Sequence, residues 1–113
     1  MSSDKVIVVE GRSDKLRINM VLAEPIEIIC TNGTASPTKI EELLTPYEEY
    51  EIFIFADADA SGEKLRQICK RAFSEARHLY TDEKFKEVAT TPLKVLASIL
   101  LNAHIDVKKE FIG

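Results

Sequence analysis

The run Lys5-Val6-Ile7-Val8-Val9 restricts this chain more than any other segment, because it sets four β-branched residues side by side with no polar residue between them. A half-solvated strand alternates apolar with polar residues. A run without alternation is buried on both faces, which points to a parallel sheet covered by helices on each side. Ile26–Cys30 and Glu51–Ala56 (Ile-Phe-Ile-Phe at its centre) repeat the pattern, and His78-Leu79-Tyr80 is a weaker fourth strand. Helical patterns fall between them. Ser13 or Asp14 is placed to cap a helix reaching about Ala23, ahead of Pro25. Pro37 and Thr38 open a short helix with Ile40, Leu43 and Leu44, ending at Pro46. Ser61 is placed to cap a third helix, to about Glu75, with Leu65, Ile68, Cys69 and Ala72 on one side. Thr91-Pro92 starts a fourth, in which Leu93, Leu96, Ala97 and Leu100 make a stripe that Val95 and Ile99 widen.

Strand–helix alternation of this kind predicts an α/β fold: a four-stranded parallel central sheet, right-handed crossovers, and helices on both faces. At 113 residues the chain holds one domain. No apolar run approaches the ~20 residues of a membrane span, and the start, Met1-Ser2-Ser3-Asp4-Lys5, has no apolar leader, so a cytoplasmic location is expected. Cys30 and Cys69 lack metal-ligand spacing and suit a reducing compartment. The net charge of −4 is uneven: residues 1–57 carry 5 basic against 11 acidic side chains, residues 58–113 carry 10 against 8. Free-standing nucleic-acid binders are usually basic overall. A polyanion would therefore need a local patch, divalent cations or a partner protein.

In open parallel sheets, ligands bind beyond the carboxyl ends of the strands. The polar clusters of this chain fall at those ends: Glu10-Gly11, Thr31-Asn32-Gly33-Thr34 and Asp57-Ala58-Asp59. Extended residues two apart point the same way, so Asp57 and Asp59 can leave their strand end together. Like charges so placed raise each other's pKa unless a cation lies between them, and Mg²⁺ suits that role. The plainer reading makes both residues solvated turn and capping groups. Glu10, at the end of a buried strand, would complete a three-carboxylate cluster as ligand or proton carrier.

Gly11 allows a sharp turn after Glu10, and Gly62 a close backbone approach to the acidic pair. Asn32-Gly33 is a tight turn or, with Thr31 and Thr34, a loop facing a phosphate. Lys64, Arg66, Lys70 and Arg71, with Arg77 beyond, make either a solvated helix face or a patch tracking a phosphate backbone; Arg12 and Lys15 can add to it. His78 and His104 have no partner at metal-ligand spacing. Neither a serine nucleophile elbow nor a nucleotide-hydrolase phosphate loop is present.

Val9-Glu10-Gly11, then Asp57-Ala58-Asp59 followed by Gly62, resembles the Toprim domain of topoisomerases, bacterial primases and certain nucleases. The stretches Val6–Asp14, Thr31–Ala35 and Asp57–Arg66 look most like the ribonuclease that matures 5S ribosomal RNA. The resemblance covers about residues 5–80, with a helical segment at about 91–104 beyond it. It implies a Rossmann-like Toprim fold, Mg²⁺ (or Mn²⁺ in its place) at Asp57 and Asp59, and Glu10 as metal ligand or general acid/base. Phosphate or nucleic acid would meet Gly11, Arg12, Asn32, Gly33, Thr34, Gly62, Lys64 and Arg66. Ser61 departs from members with a third aspartate at that position. At this size the strand-gating domains of a topoisomerase and the template-handling domains of a primase are not expected.

Three functions follow. The first is Mg²⁺-dependent phosphodiester chemistry on RNA or DNA, nuclease-like, in RNA processing or DNA repair. The second is a non-catalytic metal- or nucleic-acid-binding module working with a protein partner, or as a homodimer through the Leu93–Ala103 helix. The third is a phosphate-accepting receiver-like domain with Asp57 as acceptor, which lacks the expected lysine at a late strand end.

Overall fold

A computed structural model describes residues 4–33, 36–81 and 84–112. The elements are β1 (Lys5–Val9), α1 (Arg12–Val21), β2 (Glu27–Cys30), α2 (Pro37–Leu44), β3 (Glu51–Phe55), α3 (Ala60–Ala72), β4 (Arg77–Leu79) and α4 (Leu93–Asn102). The strands form one parallel sheet in the order β2-β1-β3-β4. The expected α/β architecture is the one that forms.

Burial follows the strand period of two on both faces. Ile7, Val9, Phe53 and Phe55 face one core with Ile18 and Val21 of α1 and Leu96 and Leu100 of α4. Val6, Val8, Ile52 and Ile54 face the other, with Ile40 and Leu44 of α2 and Leu65 and Cys69 of α3. β1 lies between two strands and has helices packed on both faces, so its unbroken apolar run has no solvent side, and its four apolar residues are 0% exposed.

The order of strands places the site. From β1 the chain crosses through α1 to β2 on one side, then back through α2 to β3 on the other. The crossover direction therefore reverses between β1 and β3, with α1 on one face and α2 and α3 on the opposite one. At such a switch point the loops after two adjacent strands diverge and leave a crevice at the carboxyl edge. Glu10 follows β1 and Asp57 follows β3, so both flank it.

The apolar stripe of α4 is largely covered within the chain. Leu96, Ala97 and Leu100 are buried against the α1 side of the sheet, while Leu93, Val95 and Ile99 are half-buried and Leu101 is exposed. Beyond α4 the chain clasps the end of α1: Val107 bridges to Leu22, the Lys108 amide donates to the Val21 carbonyl, and Ile105 is fully buried.

Candidate functional site

Glu10 is fixed by groups from the neighbouring strand and helix. Its Oε1 accepts the Asp57 backbone N–H at 2.7 Å, and its Oε2 accepts the Ser61 hydroxyl at 3.1 Å. Ser61 occupies the position where the resemblance leads one to expect a third aspartate in some members. A carboxylate there would oppose Glu10 with like charge, whereas the hydroxyl donates to it. Asp57 turns its Oδ1 to the Val88 N–H at 2.7 Å. Asp59, extended at φ −143°, caps α3: its Oδ1 accepts the Gly62 N–H at 2.8 Å. The expected cap, Ser61, instead lies inside the helix and serves Glu10.

A fourth acid belongs to this edge and was read from sequence only as a helix cap. Asp14 is buried, and its Oδ2 accepts the Gly11 N–H at 3.0 Å. Gly11 is thus the cap position of α1, with Asp14 reaching back from the third helical residue. Burial holds the Asp14 carboxyl above its ordinary range. Hydrogen bonds from the Gly11 and Ala89 backbone oppose that shift, and the charges of Asp57 and Glu10 reinforce it. These acids can share one edge because they lie at the N-termini of α1 and α3, where free N–H groups and the helix dipole favour negative charge.

The segment after β4 closes the edge. The Ala58 N–H donates to the Lys86 carbonyl at 2.7 Å, Asp57 holds Val88, and Arg17 Nη2 donates to the Thr91 carbonyl at 2.7 Å. Without strand or helix periodicity, residues 84–91 gave no sequence signal of this role.

Several of the expected phosphate contacts are already engaged within the fold, and Gly62 and Arg66 are buried. The amides of Gly11, Asn32 and Gly62 already donate within the chain, to Asp14, to the Glu10 carbonyl at 2.8 Å and to Asp59. Gly62 is also buried, with the Asp57 peptide where its Cβ would be. Arg66 is withdrawn altogether, at 2% exposure. Its Nη2 donates to the carbonyls of Ala56 (2.9 Å) and Leu79 (2.6 Å), its Nη1 meets His78 Nδ1 at 3.3 Å, and its guanidinium lies 4.1 Å from the centre of the Tyr80 ring. A cation so placed ties β3 to β4 and cannot reach a phosphate. Arg12, Gly33 and Lys64 remain exposed near the crevice. Asn32 and Gly33 both have positive φ (55° and 78°), the conformation an Asn-Gly turn favours. Thr34 lies outside the described residues.

Three carboxylates enclosing one cation is an expectation to be corrected: among the described residues no group of three or more His, Cys, Asp or Glu side chains is arranged to hold a metal ion. Both Glu10 oxygens accept one hydrogen bond each, which fixes the carboxylate and leaves a lone pair on each oxygen for a proton or a cation. Asp57 and Asp59 each keep Oδ2 clear of hydrogen bonds among the described residues. That pair fits the chemistry of Mg²⁺, which binds through one or two carboxylates and completes its shell with water and substrate phosphate.

The Toprim domain model matches residues 5–93 of this chain. The chain belongs to the Toprim domain family. The structure of a small Toprim domain protein from Bacillus stearothermophilus superposes with a TM-score of 0.94 at 49% identity, covering 100% of this chain and 96% of that one. The uncharacterized protein YusF of Bacillus subtilis is 50% identical over 109 residues, 96% of this chain and 75% of its own length. Ribonuclease M5 of Listeria monocytogenes is 39% identical over 80 residues, 69% of this Toprim chain. The match spans only 40% of that ribonuclease. The family places the chain among nuclease-like, nucleic-acid-processing relatives and leaves the phosphate-acceptor reading without support. No helix among the described residues is long and apolar enough to cross a membrane.

Proposed function

We propose that this Toprim chain is a Mg²⁺-dependent nuclease that cuts phosphodiester bonds, with RNA the substrate its ribonuclease M5 relatives favour. The observation that carries the reading is Glu10 at the β1–β3 switch point, gripped by the Asp57 amide beside two aspartates with oxygens to spare. Asp57 and Asp59 would hold the cation, or Mn²⁺ in its place. When bound, it supplies charge stabilisation to the phosphoryl oxygens. Glu10, oriented by two donors from different elements, takes a proton from the attacking hydroxyl or water and can return it to the leaving oxygen. Asp59, as the cap of α3, is itself stabilised by the positive N-terminus of that helix, and Arg12 and Lys64 offer phosphate contacts at the rim of the crevice.

The test is cleavage of an end-labelled structured RNA with Mg²⁺ and with EDTA. Glu10→Gln keeps the acceptor for the Asp57 amide but loses the proton carrier, so kcat should fall about 10²- to 10⁴-fold with KM little changed. Asp57→Asn/Asp59→Asn should abolish turnover; undiminished cleavage in that double variant removes the acidic pair from the mechanism. A second reading is a non-catalytic module that binds nucleic acid beside a partner protein. It is favoured by the hydrogen bonds that already occupy Glu10 and one oxygen of each aspartate. It expects RNA retention with no cleavage under any cation.

A further inference from the structure

Between α2 and α3 runs an open groove of about 540 Å³. Lys64, Gln67 and Arg71 line one side at helical spacing, Pro37 and Ile68 supply apolar surface, and Glu41 is the single acid among the lining residues. All three α3 side chains are exposed, and neither Lys64 nor Arg71 has an ion-pair partner among the described residues. In a chain with net charge −4, two unpaired cations over an apolar strip are a local exception of the kind a polyanion needs.

The groove lies along α3, the helix whose N-terminus carries Asp59. Asp59 caps α3, Lys64 lies about 7.5 Å further along its axis and Arg71 about 10.5 Å beyond that, at 1.5 Å per residue. The axial rise of about 3.4 Å per phosphate in a duplex understates the backbone path of a single strand, so the second interval spans fewer than three nucleotides. Packed helices set their axes about 8–10 Å apart, a furrow too narrow for a duplex whose major groove alone is about 12 Å wide. Building on the nuclease reading, we infer that this groove guides a single polynucleotide strand away from the acidic centre. Lys64 and Arg71 hold two nearby phosphates of the strand, Gln67 bonds to a sugar or base between them, and Ile68 and Pro37 pack against the ribose side. Contacts of this type position a strand without reading its sequence.

The experiment is a fluorescence-anisotropy titration of the full chain with a labelled single-stranded RNA of about 12 nucleotides, a length within the range for such grooves, in EDTA so that no strand is cut. Each phosphate contact on a single strand contributes about −0.7 to the slope of log Kobs against log salt. Lys64→Ala/Arg71→Ala should therefore flatten the slope by about 1.4, so that between about 50 and 200 mM KCl the wild type loses about sevenfold more affinity than the variant. Lys94→Ala/Lys108→Ala, away from the groove, should keep the wild-type slope, and a blunt duplex of the same sequence should compete poorly. An unchanged slope in the groove variant, equal competition by the duplex, or no binding of the RNA by the wild type overturns the inference. Failure of the nuclease reading looks different: binding with the full slope, retained in Asp57→Asn/Asp59→Asn, but no cleavage with Mg²⁺.

Discussion

Arg66 shows how far one side chain can depart from what its sequence context advertises. In a helix that also carries Lys64, Lys70 and Arg71, it reads as one more solvated cation. Its place on α3 turns it toward the sheet, where β3 and β4 end and their last carbonyls lack ladder partners. The guanidinium supplies donors to both at once, which a lysine ammonium with its point charge does less well. Arg66→Met would leave the Ala56 and Leu79 carbonyls buried without donors, a loss of about 2–4 kcal/mol. Urea denaturation should show a lower midpoint with an unchanged m-value, and Arg66→Lys should recover part of the loss. A midpoint equal to that of the wild type would mean that water replaces the donors. Asp14 was hidden for a related reason: an acid in the first turn of a helix is ordinary, and only tertiary packing buries it beside Glu10 and Asp57.

At the level of elements, the strands were legible because a doubly buried strand needs an unbroken apolar run, and their ends fall within a residue or so of expectation. The caps were not. Helix α3 begins at Ala60, with Asp59 rather than Ser61 as its cap, because an aspartate just ahead of Gly62 reaches that amide directly. The meeting of Glu10 with the Asp57 amide was legible in outline: parallel register sets Val8 beside Ile54, so both strand ends arrive at one edge. Gly62 joins element to site. A Cβ there would lie 2.0 Å from the Asp57 carbonyl oxygen and 2.9 Å from its carbon, and backbone cannot yield as a flexible side chain does. Gly62→Ala should force α3 away from the β3 end, costing about 1–3 kcal/mol and moving the amide that holds Glu10. Thermal melting would show the first effect, and a fall in RNA cleavage larger than the fraction unfolded would show the second. Wild-type stability in this variant would mean that the helix start shifts without cost.

Over the whole molecule, Glu10, Asp14, Asp57 and Asp59 sit near one edge of a chain that is already acidic, so the fold carries repulsion there that a purely structural edge would not need. Asp14 registers it. With its folded-state value raised above the ordinary 3.8, the folded chain keeps that proton to higher pH than the unfolded chain does. Its contribution is therefore fully present below 3.8 and is lost as pH rises through the raised folded value, leaving a destabilising charge at neutral pH. Removing one neighbouring charge should relieve it. Asp57→Asn keeps an Oδ1 for the Val88 amide, and in EDTA at pH 7 it should melt about 2–5 °C above the wild type. Mg²⁺ should then stabilise the wild type saturably, beyond what NaCl of equal ionic strength achieves, because a ligand that binds only the folded state adds RT ln(1 + [L]/Kd). The variant should gain much less. A variant that melts below the wild type in EDTA would show that Asp57 serves the fold through its hydrogen bond more than it strains it through its charge, and a cation response equal in both proteins would place the ion away from Asp57.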